Sequence, residues 1–319
     1  MPSPFLPLPS DAPDTQSTQP QPFVTLHPGD PSYPATLMHL SSPPKSLYLR
    51  GAPGLLEQPI LAIVGSRNPT AQGLLDATAF ARELSLTGYT IISGLALGID
   101  AGAHQGGMME RGKTIAVMGT GIDRLYPPQN LGLAQHIATA GGLIMTEFEP
   151  NSPAHSWHFP HRNRLIAALC QGCLVVEASL DSGSLITARL ALELGHEVFA
   201  LPGSIHSPQS KGCHHLIKEG AKLVESVRDI LDELPRLPST LAASGDSKLR
   251  SIPDATQFLD EESYKLWQNM GNAPVSMDRL AKLNALTLRE VASLLTLMEL
   301  AGHVALLPGG MAQKLVKMN

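Results

Sequence analysis

The sequence predicts an α/β protein: a mostly parallel sheet covered by helices on both faces, followed by a small module of three helices and a hairpin. Three observations carry that expectation. From residue 60 to residue 224, short apolar runs alternate with helical stretches. Several of the runs end in glycine-bearing turns that open directly into a helix, the pattern of a doubly wound sheet. Beyond a Ser-, Pro- and Ala-rich stretch at 235–255, three further helical patterns precede a short hairpin.

The central stretch is Ile60–Arg67, ILAIVGSR, whose five leading apolar residues are too few for an independent helix and stop at turn residues. Such a run is a buried, parallel-type strand. Residues 71–86 then carry a helical stripe of Leu74, Ala77, Ala81 and Leu84, stopped by Gly88. Ahead of this unit, residues 1–22 are rich in Pro, Ser, Gln and Thr and read as a disordered leader. Order is expected from Phe23, with a short helix and a strand at Leu47–Arg50 before the main sheet. The alternation continues with strands at 89–92, 114–118, 143–146, 173–177, 197–200 and 221–224. Helices are expected from Ile99, at 131–139, 164–169, 184–194 and 214–219. The bounds that follow are a leader at 1–22, an α/β domain at 23–234, a linker at 235–255 and a winged helix at 256–319. Within the last, 257–270, 277–283 and 287–301 are helical, with Thr287 opening the would-be recognition helix.

Composition narrows the function. The net charge of -5 announces no polyanion partner, so any phosphate-binding surface must be local. An aromatic content of 4% limits base stacking of the single-strand-binding type. No apolar run is long enough to span a bilayer, and no basic-then-apolar leader marks secretion, so no membrane partner is expected. Three cysteines suggest no disulfide framework and fit a reducing cytoplasm.

Four groups could carry chemistry. The turn Gly65–Ser66–Arg67 follows a strand and precedes a helix, so its N–H groups can face an anion while Arg67 adds a planar charged fork. The loop Ser93–Gly94–Leu95 through Gly98 repeats that logic at the next strand. In Phe159–Arg164, FPHRNR, the residues His161, Arg162, Asn163 and Arg164 stand where a helix is expected to begin. Cations are disfavoured at a helix N-terminus, so this cluster argues for a bound anion. Ser182–Gly183–Ser184 and Thr187 open another helix, with either serine as cap and ligand contact.

Other chemistry is excluded or bland. Gly119–Thr120–Gly121 lacks the third glycine and the later acidic residue of a dinucleotide fingerprint, so no cofactor is expected. Cys170 and Cys173 sit in apolar stretches and read as buried small hydrophobes; no metal is expected. There is no nucleophile elbow and no His-Glu-x-x-His, and His104 reads as a packed histidine inside a helix. Glu177 ends a strand, where a structural role outweighs that of a base. In the tail, Arg279, Lys282 and Arg289 are balanced by Asp278, Glu290 and Glu299, which favours protein contact or weak DNA contact over sequence reading.

Taken in order, AIVGSR (62–67), SGLALGIDAGAH (93–104), TIAVMGTGID (114–123), YP (126–127), FPHRNR (159–164), VVEA (175–178), SGSLITAR (182–189), VFALPG (198–203) and LIKEGA (216–221) resemble the DNA-processing protein A family (DprA, also called Smf). The resemblance is dense over residues 24–230 and looser in the tail. It implies an extended Rossmann-like domain plus a winged-helix module, and a non-enzymatic protein that binds single-stranded DNA. It implies protection of incoming strands, loading of the RecA recombinase during natural transformation, and a homodimer. The Gly65–Arg67 turn and the Arg162–Arg164 cluster match the family's DNA pocket, and His161 stands where some members carry lysine. The resemblance leads one to expect the helical N-terminal module of many relatives to be absent here, with the Pro/Gln-rich leader in its place. The rival reading is a nucleoside-monophosphate phosphoribohydrolase in which Glu177 acts on the glycosidic bond. A transcriptional regulator acting through the tail is a third.

Overall fold

The computed structural model describes residues 22–109, 113–235, 260–271 and 273–316. They fall into two compact units, each described by itself. The segment read as a leader, apart from Pro22, lies outside the described residues, as do the segment read as a linker, apart from Pro235, and residues 256–259 of the expected winged helix.

The larger unit is a nine-stranded sheet. Its elements are β1 (Val24–Leu26), β2 (Leu47–Gly51), β3 (Ile60–Val64), α1 (Ala71–Leu86), β4 (Thr90–Ser93), α2 (Ile99–Gly107), β5 (Thr114–Val117) and α3 (Leu131–Thr139). There follow β6 (Leu143–Thr146), α4 (His158–Leu169), β7 (Gly172–Val175), α5 (Ser184–Glu193), β8 (Glu197–Ala200), α6 (Lys211–Lys218), β9 (Lys222–Leu223) and α7 (Val227–Glu233). The spatial order is β1-β2-β6-β5-β4-β3-β7-β8-β9. From β6 to β9 every neighbouring pair is parallel, and β1 and β2 join antiparallel at one edge.

All five residues of β3 are buried, as an apolar run in a two-sided sheet requires. β4, β5 and β6 build outward on one side of β3, while β7, β8 and β9 build on the other. The chain therefore reverses its winding between β3 and β7. A crevice opens where two such connections diverge at the carboxyl ends of the strands, and ligands of open α/β sheets sit there.

Two expectations shift. The helix expected at 164–169 begins at His158, so the FPHRNR cluster lies inside α4 rather than before it. Its arginines occupy the second turn, and the argument from cations at a helix N-terminus loses its footing. Pro160 sits in the first turn, where its missing N–H breaks no helical hydrogen bond, so the sequence permits the earlier start. The helix α7 was not expected; a capping box of Ser226 and Asp229 opens it.

The second unit holds α8 (Glu261–Asn269), β10 (Val275–Ser276), α9 (Met277–Asn284), α10 (Leu288–Leu300), β11 (Val304–Leu307) and β12 (Met311–Lys314). Leu266, Leu280, Val291, Leu295, Met298 and Val304 form its core, a winged helix. Thr287 caps α10 and closes a capping box with Glu290. Among the described residues, no helix is long and apolar enough to cross a membrane.

Candidate functional site

The β3–α1 turn is fixed from both sides. Ser66 N donates to the Glu177 carbonyl at 2.6 Å, and Ile99 N donates to the Ser66 carbonyl at 3.1 Å. Asn68 N donates to Ser66 Oγ at 3.1 Å, and Gln209 Nε2 to the Asn68 carbonyl at 2.8 Å. A side chain at Gly65 would strike Ile99 and the Glu177 backbone, so only glycine lets the strand end pass between them. The amides of Ser66 and Asn68 thus serve the turn rather than a ligand. What the turn presents outward is Arg67, exposed, with its guanidinium 5.8 Å from the centroid of the Phe159 ring.

Glu177 completes the support. Its Oε2 accepts Thr70 N at 2.8 Å and its Oε1 accepts Thr70 Oγ1 at 2.7 Å, while the Thr70 side chain itself caps α1. Burial pushes this carboxyl up, and the hydroxyl and amide of Thr70 pull it back.

The β4–α2 loop is tied down in the interior. Ser93 is fully buried, and its hydroxyl donates to the Ile63 carbonyl at 2.6 Å. Asp100 Oδ2 accepts Gly94 N at 3.1 Å and Ala96 N at 3.3 Å. Leu95 adopts a left-handed backbone at φ 58° while its side chain lies in the core. Its amide donates to His104 Nε2 at 3.2 Å, and Asn130 Nδ2 donates to the carbonyls of Leu95 at 2.9 Å and Ala96 at 3.0 Å. Since Thr114 Oγ1 gives its proton to the Ile91 carbonyl, it accepts from His104 Nδ1 at 2.8 Å, which sets the imidazole tautomer. Burial, followed by the charge of Arg162, holds His104 down to about 3, so it stays neutral.

Arg162 is the surprise of the site. It is 4% exposed, and its Nη1 donates to the Gly94 carbonyl at 2.6 Å and to the Val117 carbonyl. Its Nε donates to Asn163 Oδ1 at 3.1 Å. It faces the buried Asp100 at the cleft floor. Burial lowers Arg162 to about 10, Asp100 opposes that, and the charge of Arg67 adds to it. Burial raises Asp100 in turn, with Arg162 as the largest opposing influence. The guanidinium thus spends two of its bonds tying the ends of β4 and β5 together.

Arg164 leaves the cleft altogether. Its Nη1 donates to the Ser42 carbonyl at 2.8 Å, and its Nη2 pairs with Glu147 Oε2. His161 lies beside them, 3.5 Å from Glu147. Burial and then Arg164 lower its pKa, so this contact is a neutral imidazole against a carboxylate rather than an ion pair at pH 7.

The fourth group stands at the start of α5. The helix begins at Ser184 with Gly183, which has no side chain to offer, at its cap, and Ser182 Oγ accepts Ser184 N at 3.4 Å from one residue further back. The hydroxyls of Ser182 and Ser184 also meet each other at 2.6 Å. Asn163 Nδ2 reaches across from α4 to the Gly183 carbonyl at 3.3 Å.

These pieces enclose an open cleft of about 440 Å³ at the winding reversal. Of the residues expected from sequence, Gly65, Ser66, Arg67, Arg162, Asn163, Ser182, Gly183, Ser184 and Thr187 line it. Ser93, Gly94, Leu95, Gly98, His161 and Arg164 do not; the first four shape its floor, and the last two lie on the other flank of α4. Phe159, Asp100, Asp181 and Gln209 line the cleft as well and were not expected there. Asp100 stood within a quoted motif, but only the fold reveals that it faces Arg162. Among the described residues, no group of His, Cys, Asp and Glu could hold a metal ion. Cys170, Cys173 and Cys213 are buried, and burial raises all three thiols.

Fold and cleft together define a class: a doubly wound domain with its crevice at the carboxyl edge, followed in the chain by a winged helix. The profile of the family named DNA recombination-mediator protein A matches residues 24–235, and that of the DprA winged helix domain matches residues 251–310. The chain belongs to the DNA recombination-mediator protein A family. Protein Smf of Escherichia coli (strain K12) is 39% identical over 298 residues, spanning 91% of this chain and 77% of Smf. DNA processing protein DprA of Streptococcus pneumoniae is 46% identical over 204 residues, 64% of this chain and 72% of that protein. The X-ray structure of DprA from Streptococcus pneumoniae aligns with a TM-score of 0.64 at 44% identity, covering 68% of this chain and 76% of that one. A structure of DNA processing protein A from Helicobacter pylori, described for its single-stranded DNA binding mode, aligns with a TM-score of 0.60 at 33% identity, covering 66% and 94%.

Proposed function

We propose that this protein is a non-enzymatic mediator that binds single-stranded DNA in the β3/β7 cleft, protects incoming strands and hands them to RecA during natural transformation. It acts in the cytoplasm as a homodimer. The observation that carries the reading is the presentation of Arg67. It is the cation the cleft leaves exposed, on a turn clamped from two sides, and among the described residues it pairs with no carboxylate. Asn163, Ser182, Ser184 and Thr187 add uncharged donors around it. Phosphate contact by a guanidinium with neutral donors positions a strand without reading its sequence. The Helicobacter pylori relative's binding of single-stranded DNA supports the same ligand here.

Filter binding of oligo-dT across salt concentrations tests this. Arg67→Ala is expected to weaken binding and to flatten the slope of log K against log salt by about 0.7, the share of one phosphate contact on a single strand. Unchanged affinity and unchanged slope overturn the assignment. The phosphoribohydrolase reading fares worse, because both Glu177 oxygens are engaged by Thr70 and Glu177 does not line the cleft. Incubation with nucleoside monophosphates is expected to release no free base.

A further inference from the structure

Two residues before Phe159, at the very start of α4, the chain exposes Trp157 to 60%. An indole this open leaves a broad apolar face on which a flat ring can lie. Helical spacing sets Trp157 on the flank that carries His161 and Arg164, beside the flank that faces the cleft.

The indole is oriented but not covered. It meets His158 edge-on at 4.1 Å between centroids, Phe148 at 6.1 Å and His161 at 6.2 Å. His155 lies nearly parallel to it, at 10° and 6.4 Å. Behind these, Phe148 and His158 stack on each other at 3.8 Å. On the cleft side, Phe159 stands 5.5 Å from Tyr126, itself 45% exposed. Two groups of rings therefore stand at the first turn of α4, one on the cleft wall and one around Trp157.

The chemistry of the surroundings selects the occupant. The rings that surround the indole are imidazoles and one phenyl ring, a flat aromatic setting. The nearby carboxylate, Glu147, is paired through Oε2 with Arg164, which offsets its charge toward a phosphodiester. A planar, uncharged ring on a strand leaving the cleft fits this surface.

We propose that Trp157, with His155 beside it, is a stacking site for an unpaired nucleobase of the strand whose backbone occupies the cleft. This rests on the single-strand reading above and extends it to a second subsite. The site takes any base, since every base offers a π face.

The test compares oligo-dT with an abasic oligomer of the same length and charge. Trp157→Ala is expected to weaken oligo-dT binding about tenfold, in the range of one stacked base, and Trp157→Phe to restore most of it. Neither variant changes affinity for the abasic oligomer. Titration of the intact protein with oligo-dT is expected to quench indole emission, and the quench is lost in Trp157→Phe. That difference isolates Trp157 from Trp267, the chain's other tryptophan. Equal weakening of both oligomers by Trp157→Ala marks a structural effect and overturns the proposal. So does wild-type affinity for oligo-dT with no quench, which leaves this surface to a protein partner while the cleft reading stands. If the wild-type protein binds neither oligomer, the single-strand reading fails and the stacking site with it.

Discussion

Arg162 separates two accounts of the cleft, one in which it grips phosphate and one in which it is an internal strut. Replacing it with methionine keeps most of the side-chain volume and removes the charge and donors. In the folded protein that change strands Asp100, a buried carboxylate left with the amides of Gly94 and Ala96. It also takes the donor from the Gly94 and Val117 carbonyls. Breaking a buried charge pair from one side costs about 3–5 kcal/mol, and the orphaned carbonyls favour the upper end. For a domain of this size, that is a fall in melting temperature on the order of 6–20 °C. Asp100→Asn keeps an acceptor for the two amides and leaves the guanidinium its carbonyl partners, so its expected cost is smaller, about 1–3 kcal/mol. Because the two groups compensate each other, the double variant is expected to be less damaged than the sum, with a coupling of about 1–3 kcal/mol. Urea unfolding of the four proteins measures the cycle. Oligo-dT binding at a temperature where all four are folded measures the function, and the salt slope of Arg162→Met is expected to match wild type. A cost below about 1 kcal/mol with additive singles, or a slope reduced as in Arg67→Ala, refutes the strut.

The neutral His104 makes stability depend on acid. In the unfolded chain an imidazole takes its proton near 6.5, whereas the folded protein refuses it until about 3. Between those values the unfolded state binds more protons, so stability falls as pH falls, by about 4–5 kcal/mol over the full window. His104→Gln removes this titration, so its stability deficit at pH 7 is expected to shrink by roughly 3 kcal/mol at pH 4. Asp76, raised by burial to about 6, works in the opposite direction but is common to both proteins. Urea midpoints at the two pH values give the answer; a constant deficit contradicts the neutral buried imidazole. Gly98 has φ 78°, and a side chain there would stand against the Ser66 carbonyl and the Pro69 ring. Gly98→Ala is expected to cost about 2–4 kcal/mol in thermal unfolding and to weaken oligo-dT binding by displacing the Arg67 turn. Thr287→Ala removes a cap from α10 at a cost of about 0.5–2 kcal/mol. Hydrogen exchange of the full chain should show α10 losing protection while β3 and β4 keep theirs.

Much of the fold was legible because its signals are local. The five apolar residues of β3 ending at Gly65 marked a buried strand, and the stripe from Leu74 to Leu84 marked α1 with its observed bounds. Thr287 and Glu290 announced α10 by their spacing. The short 3-residue β1 and 2-residue β10 carry too few residues for any period to show. The start of α4 was misplaced because Pro160 reads as a helix boundary, although a first-turn proline is compatible with the helix.

The sequence brings the loops of the cleft into one list but does not tell which of its charges face the cleft, for a reason that is itself physical. Sequence counts Arg67, Arg162 and Arg164 as three equal cations, because charge is a property of the residue. Availability is a property of the neighbours. Asp100, two residues past the loop that ends at Gly98, consumes one guanidinium, and Glu147, seventeen residues from Arg164, consumes another. Neither carboxylate belongs to the cluster it neutralises. What remains facing the cleft is Arg67, with Asp181 on the rim and a set of uncharged donors. A molecule with a net charge of -5 can then hold a polyanion only by multiplying weak contacts. One guanidinium and a few hydroxyls per cleft make a shallow salt dependence and a modest affinity for any single nucleotide. On the proposed reading, a second cleft on a partner copy would raise affinity through effective concentration, and a stacked base beside the first through surface burial without added charge.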